Sequence, residues 1–322
     1  MTDAPTDAPA LALPDEALPD GARPNPFDQV RSSPGAPKPE PILVADEVRR
    51  RFGGLTAVDV RHLEVQREAI TALIGPNGAG KTTFFNLLTG FDKPDTGSWT
   101  FDDRRLEGLG AHKIARTGMV RTFQLTKALA RLSVMDNMKL GATEQLGENF
   151  FRALLPRLWN SQEKEIEARA VELLGRFNLT HMRDEYAGTL SGGQRKLLEM
   201  ARALMAQPKL VMLDEPMAGV NPALAQTIIR HVAELRDEGL TVVFVEHDMD
   251  VVRTISDWVV VMSDGEIVAE GTHASIVTNP AVIDAYLGAH HGTPMDRAEQ
   301  DRQLAEAEAA IEAERQAREE EA

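Results

Sequence analysis

Cysteine is absent from all 322 residues. That excludes a disulfide scaffold, a thiolate metal site and a cysteine nucleophile, and it suits a reducing compartment. Aromatic residues make up only 5% of the chain, so aliphatic side chains must do most of the core packing. Long apolar runs are missing too. The longest, such as 258–262, are strand-sized, against the roughly 20 residues a helix needs to cross a bilayer. The amino terminus has no basic start and no apolar stretch, so no secretory signal is expected. Basic residues are outnumbered, 35 Lys and Arg against 50 Asp and Glu, for a formal net charge of −15. This balance argues against nucleic acid as a bulk electrostatic partner. Together these absences predict a soluble, cytoplasmic chain that reaches any membrane through a partner.

The two ends differ from the middle. Ten of the 18 prolines fall in residues 1–41, where they deny the backbone donors and helical freedom. A disordered Pro/Ala-rich tail is expected there. Residues 296–322 hold ten acids and four bases among Ala and Gln. The segment 289–322 is therefore expected to be an acidic tail with helical propensity. Leu304 and Ile311 lie seven apart, and two such positions do not make a coiled coil.

The middle, 42–288, alternates two patterns. Short apolar runs at 69–74, 209–213 and 241–245 read as strands covered on both faces. Segments 80–88, 194–206 and 222–238 carry helical spacing, with Pro222 where a first helical turn tolerates it. This alternation predicts a parallel α/β sheet. β-rich pieces at 42–66 and 98–105 flank it, and a mostly helical stretch covers 134–186.

Gly75-Pro76-Asn77-Gly78-Ala79-Gly80-Lys81-Thr82 satisfies the phosphate-loop pattern G-x-x-x-x-G-K-[ST], with a strand before it and a helix after it. Its glycines let the backbone curl until several N–H groups point inward, and the helix adds its positive end. Lys81 can reach the β- and γ-phosphates, Thr82 can offer its hydroxyl to Mg²⁺, and Thr83 is placed for an α-phosphate oxygen. Further on, four apolar residues lead into Asp214-Glu215. A buried parallel strand would deliver these carboxylates beside the loop, Asp214 for Mg²⁺ and Glu215 as general base or orienter of the attacking water. Between the two motifs, Leu190-Ser191-Gly192-Gly193-Gln194 opens an amphipathic helix and offers a second anion site.

At this point the chain resembles the ATP-binding subunits of ABC transporters, whose signature motif is that pentapeptide. The resemblance implies a P-loop NTPase cassette: an α/β RecA-like core, an antiparallel β subdomain and a helical subdomain over about 134–200. It implies further roles. Gln124 matches the glutamine that contacts Mg²⁺ and the attacking water. His247 matches the histidine that contacts the γ-phosphate, and Phe52 the aromatic that stacks on adenine. Ala218-Gly219-Val220-Asn221 takes the dimer-seam position. Ser191, Gly192, Gly193 and Gln194 would close over the ATP of a second subunit. Two departures stand out: Arg67-Glu68 where many relatives have Gly-Glu, and Asn221 where many have Asp.

The stretches 52–58, 85–91 and 121–124, with the closing Ala285-Tyr286-Leu287-Gly288, are similar to the larger ATPase subunit of branched-chain (hydrophobic) amino acid importers. That likeness implies a second, different ATPase subunit, two transmembrane permease subunits and an extracytoplasmic solute-binding protein. The subunit would then sit on the inner face of the cell membrane. Cassettes for urea, amides or lipopolysaccharide export are the neighbouring alternatives. A soluble non-transport ABC ATPase fits less well, because only one phosphate loop and one signature occur.

Overall fold

A computed structural model describes residues 25–122, 130–143 and 160–288. In chain order its elements are β1 (Pro41–Phe52), β2 (Leu55–Gln66), β3 (Ile70–Ile74), α1 (Lys81–Leu88), β4 (Thr96–Phe101), β5 (Arg104–Arg105), α2 (Ala111–Arg116) and β6 (Met119–Arg121). There follow α3 (Val134–Leu140), α4 (Asn160–Arg176), α5 (Gly192–Met205), β7 (Leu210–Asp214), α6 (Pro222–Asp237), β8 (Thr241–Val245) and α7 (Met249–Ile255). β9 (Trp258–Ser263), β10 (Glu266–Gly271), α8 (His273–Val277) and α9 (Pro280–Gly288) complete it.

The central sheet runs β10-β9-β3-β8-β7-β6. Its inner strands are parallel, and β10 adds an antiparallel edge. The three apolar runs read as strands from the sequence are β3, β7 and β8, three adjacent members of this sheet. Because side chains alternate along a strand, the sheet feeds two separate cores. Ile70, Ala72, Ile74, Val211, Leu213, Val242 and Phe244 join one core with the helices α3 to α7. Leu73, Leu210, Met212, Val243 and Val245 join the other, which holds α1 and the antiparallel sheet. That second sheet has the order β2-β1-β4-β5. Trp99 on β4 locks it to α1 by donating its indole N–H to the Leu88 carbonyl at 3.1 Å. The expected architecture is therefore present: a parallel core, an antiparallel β layer and a helical layer built on α3, α4 and α5.

Loops follow local chemistry. Asn221 caps α6, its side chain accepting from the Leu224 N–H at 2.9 Å, and Pro222 takes the first helical turn. Asparagine caps a helix as well as aspartate does, which accounts structurally for one departure from the family pattern. The other departure also finds a role. Arg67 pairs with Asp102 at 2.8 Å, and Glu68 takes a left-handed φ of 55° in the turn before β3.

The structure corrects the expected boundary of the amino-terminal tail. Residues 1–24, like 289–322, lie outside the described residues, but 25–40 are packed on the cassette. Phe27 is buried and stacks on Trp258, with ring centroids 4.7 Å apart. The Lys38 ammonium donates to the Glu270 carboxylate at 2.8 Å, and both side chains are almost wholly buried. Glu270 also accepts from the Gly35 N–H and the Trp258 indole, and Lys38 donates to the Ala36 carbonyl. Proline density lowers regular structure, but it does not prevent a segment from docking through one ring and one paired charge.

Removing one partner of such a pair strands a buried charge. We expect Lys38→Met to lower unfolding stability by about 3–5 kcal/mol, measured by chemical denaturation of the full chain. The Lys38→Met, Glu270→Gln double variant should lose less than Lys38→Met alone.

Candidate functional site

β3 carries five fully buried residues straight into Gly75. Two glycines then set the loop's path. Gly75 has φ 148° and Gly80 φ 94°. A Cβ on Gly75 would collide with the Met262 carbonyl, and one on Gly80 with the Ala57 carbonyl. The loop is thus pressed between β9 and the start of β2, where only glycine fits. Lys81 opens α1 and folds back over the loop, donating to the Gly75 carbonyl at 2.7 Å and the Pro76 carbonyl at 2.9 Å. Burial lowers its pKa from the usual lysine value, against the opposing pull of Glu215 and Asp214. Asn77, Gly78 and Thr82 are exposed, Ala79 is buried, and Thr83 is half-buried.

Support for the loop also comes from the β9–β10 hairpin. Asp264 and Gly265 both have positive φ, as a two-residue Asp-Gly hairpin turn requires. Gly265 donates to the Ala79 carbonyl at 3.1 Å and accepts from the Asp59 N–H at 2.8 Å. The Asp-Gly dipeptide between two apolar strands was the available sequence signal for this brace.

Strands β3 and β7 flank β8 in parallel, so all three end on the same edge. β7 delivers Asp214 and Glu215 there, and β8 delivers Glu246 and His247. Glu215 takes a left-handed φ of 46°, and its N–H donates to the Val245 carbonyl at 3.1 Å. A non-glycine residue at such a φ marks local strain held by its surroundings. Those surroundings include Glu246, which is fully buried and accepts from the Met217 N–H at 2.9 Å. Burial raises the Glu246 pKa above the usual carboxylate range. Lys196 on α5 donates to the Glu215 carbonyl oxygen at 3.3 Å. His247 is 70% exposed, with its Nδ1 3.9 Å from the Glu246 carboxylate.

Asp214 already has a partner that the sequence did not reveal. Arg121, at the end of β6, donates to Asp214 at 2.5 Å and to the Asn86 side chain on α1 at 2.6 Å. The guanidinium thus ties the carboxylate of β7 to the phosphate-loop helix. It engages one carboxylate oxygen, Oδ2. Mg²⁺ typically binds through one or two carboxylates, waters and substrate phosphates. Asp214 and the exposed Thr82 hydroxyl supply oxygen ligands of the type that ion takes, so the residue types present fit it. Gln124, the third expected ligand, lies outside the described residues.

The signature opens α5. Ser191 accepts from the Gln194 N–H at 3.2 Å, and Gln194 accepts from the Ser191 N–H at 2.9 Å, a closed capping box at the start of α5. Ser191 and Gly192 are exposed, and a Cβ on Gly193 would strike Leu224. Phe52 is 48% exposed at the end of β1. The structure therefore brings together 75–83, Asp214, Glu215 and the strand end at His247, and it leaves Ser191 and Gly192 exposed at the start of α5.

A glycine-cradled lysine with strand-end carboxylates in a three-layer cassette defines a nucleotide-binding ATPase. The chain belongs to the ABC transporter family of ATP-binding subunits, which are ATPases coupled to transport. The family described as "ABC transporter" matches residues 58–218. The one described as "Branched-chain amino acid ATP-binding cassette transporter" matches 266–292. The chain is 42% identical over 250 residues to BraF of Pseudomonas aeruginosa, a high-affinity branched-chain amino acid transport ATP-binding protein, covering 77% of this chain and 98% of that one. It is 40% identical over 248 residues to a probable LivG of Archaeoglobus fulgidus, with coverages of 77% and 96%. The crystal structure of the ADP conformation of MJ1267, an ATP-binding cassette of an ABC transporter, superposes with a TM-score of 0.67 at 36% identity. It covers 77% of this chain and 99% of that one.

One buried acid near the site was not foreseen. Glu199 on α5 shares a small cavity with Thr122, Lys196 and Asp214. Burial pushes its pKa up to about 7, against the pull of Lys196 and Arg202. An acid whose pKa rises on folding keeps its proton in the native state after the unfolded chain has lost it. Its contribution to stability therefore falls as pH rises from the ordinary carboxylate pKa through about 7. We expect Glu199→Gln to gain melting temperature over the parent at pH 8 and to show a smaller difference at pH 5. Thermal melts of both proteins across that range check this.

Proposed function

We propose that this chain is the ATP-hydrolysing subunit of an importer for branched-chain or other hydrophobic amino acids. The adjacency of the glycine loop, Lys81 and the Asp214-Glu215 pair supports its chemistry. The names of its relatives, with the family match over 266–292, support its substrate class. Gly75 to Thr83 hold the triphosphate, Lys81 its β- and γ-oxygens. Asp214, Thr82 and Gln124 would hold Mg²⁺, which would draw charge from the phosphate oxygens. Glu215 accepts a proton from the attacking water or orients it. His247 and Gln124 contact the γ-phosphate side, and Phe52 stacks on the adenine.

In this reading Ser191, Gly192, Gly193 and Gln194 complete the site of a second, different ATPase subunit. ATP holds the pair closed, and its cleavage releases them. Phosphoryl transfer needs mainly positioning and charge stabilisation, which closure provides. The motion passes to two permease subunits, which take solute from an extracytoplasmic binding protein. Among the described residues no helix is long and apolar enough to cross a membrane.

Glu215→Gln should retain ATP binding while turnover falls at least about 100-fold, the scale of a lost general base. Steady-state phosphate release beside equilibrium nucleotide binding reads both, and near-normal release would remove Glu215 from its role. Hydrogen bonds to charged groups contribute about 1.5–3 kcal/mol, so Lys81→Ala should weaken ATP affinity by at least about tenfold. Unchanged affinity in a fluorescent-nucleotide titration would contradict the loop assignment.

A further inference from the structure

The adenine ring proposed to stack on Phe52 would meet a side chain already occupied on one face. The Arg50 guanidinium lies 4.7 Å from the Phe52 ring centroid. A register shift between Arg50 and Arg51 bends the end of β1 where the two residues lie. Arg50 is itself clamped. Asp92 meets it twice, at 3.0 Å and 3.2 Å, and Asp95 once, at 3.0 Å. Asp95 further accepts from the Arg51 N–H at 2.7 Å, and its own N–H donates to the Arg49 carbonyl at 2.8 Å. Asp92 and Phe91 are in turn anchored to α1, both donating their N–H to the Asn86 carbonyl. A chain of contacts therefore runs from the phosphate-loop helix through Asp92 and Arg50 to the Phe52 ring.

The geometry points to Arg50 as a positioning residue that makes Phe52 a one-sided platform for a purine base. The inference rests on Phe52 as the base-stacking ring. A cation over one face draws π density toward itself and leaves the opposite face better matched to an electron-rich base. The guanidinium also removes one of two stacking faces and steadies a ring that stands half-exposed at a hairpin end. Base binding and phosphate binding are then set at a constant distance, because both attach to α1.

Titration of the full chain with ATP and with tripolyphosphate separates the base from the phosphates. Cation–π contacts at exposed sites correspond to about two- to fivefold in affinity. Arg50→Leu should therefore weaken ATP by about that factor and leave tripolyphosphate unchanged. Arg50→Lys should fall between parent and Arg50→Leu, because it keeps the charge and loses the planar fork. The Asp92→Asn, Asp95→Asn variant retains Arg50 unclamped and should reproduce the loss if Arg50→Leu folds poorly. Combining Arg50→Leu with Phe52→Ala should cost no more than Phe52→Ala alone. Equal weakening of ATP and tripolyphosphate, or additive losses in the double variant, would overturn the role of Arg50. If Phe52→Ala leaves the ATP-to-tripolyphosphate ratio unchanged, the base-stacking reading itself fails, and the platform with it.

Discussion

An unpaired charge is costly inside a sheet covered on both faces, so the chemistry collects where the buried strands stop. β3, β8 and β7 are parallel neighbours, and their ends carry Gly75, Glu246-His247 and Asp214-Glu215 respectively. With strands roughly 4.8 Å apart, motifs 130 or more residues apart in the chain come within reach of one triphosphate. The direction of the strands is the condition for everything else. Were β7 antiparallel to β3, its carboxylates would leave from the opposite edge.

Holding charge at that edge requires partners. Lys81 rests on the carbonyls of its own loop, Asp214 on Arg121, and buried Glu246 on the Met217 N–H. Unpaired charge in such places costs several kcal/mol, of the order of 3–5 where one partner of a buried pair is removed. These contacts therefore fix orientation as well as position. Arg121 matters most for coherence, since it joins β6, β7 and α1. Any movement of β6 relative to the phosphate loop must carry Asp214 with it. The same logic of paired charge recurs far from the site, where Lys38 and Glu270 fasten residues 25–40 to β10.

Much of this was legible in the residues. The three strands, the helices after them, Pro222 in a first helical turn and the loop glycines all follow from local pattern. Gly75 and Gly80 take positive φ in the loop, and the carbonyls that forbid a side chain there come from β9 and β2. Less was legible where a contact joins distant segments through residue types that occur everywhere. Nothing about Arg121, Glu246 or Arg50 distinguishes them from surface charges until the fold places Asp214, Met217 and Phe52 against them. The docking of 25–40 is hidden for the same reason, since its composition speaks of local conformation and its anchors act at long range.

The sequence alone determined which chemistry is present: a glycine loop with lysine, strand-end carboxylates and a serine-glycine helix start. Each of these is encoded within a few consecutive residues, because turn geometry, capping and burial period are local properties of the backbone. The tertiary structure alone decided which of them meet. It gathers the loop and the carboxylates on one edge, ties Asp214 to Arg121, and leaves Ser191 and Gly192 facing outward. That decision rests on strand order and on the pairing of buried charges, which are properties of the whole packed chain.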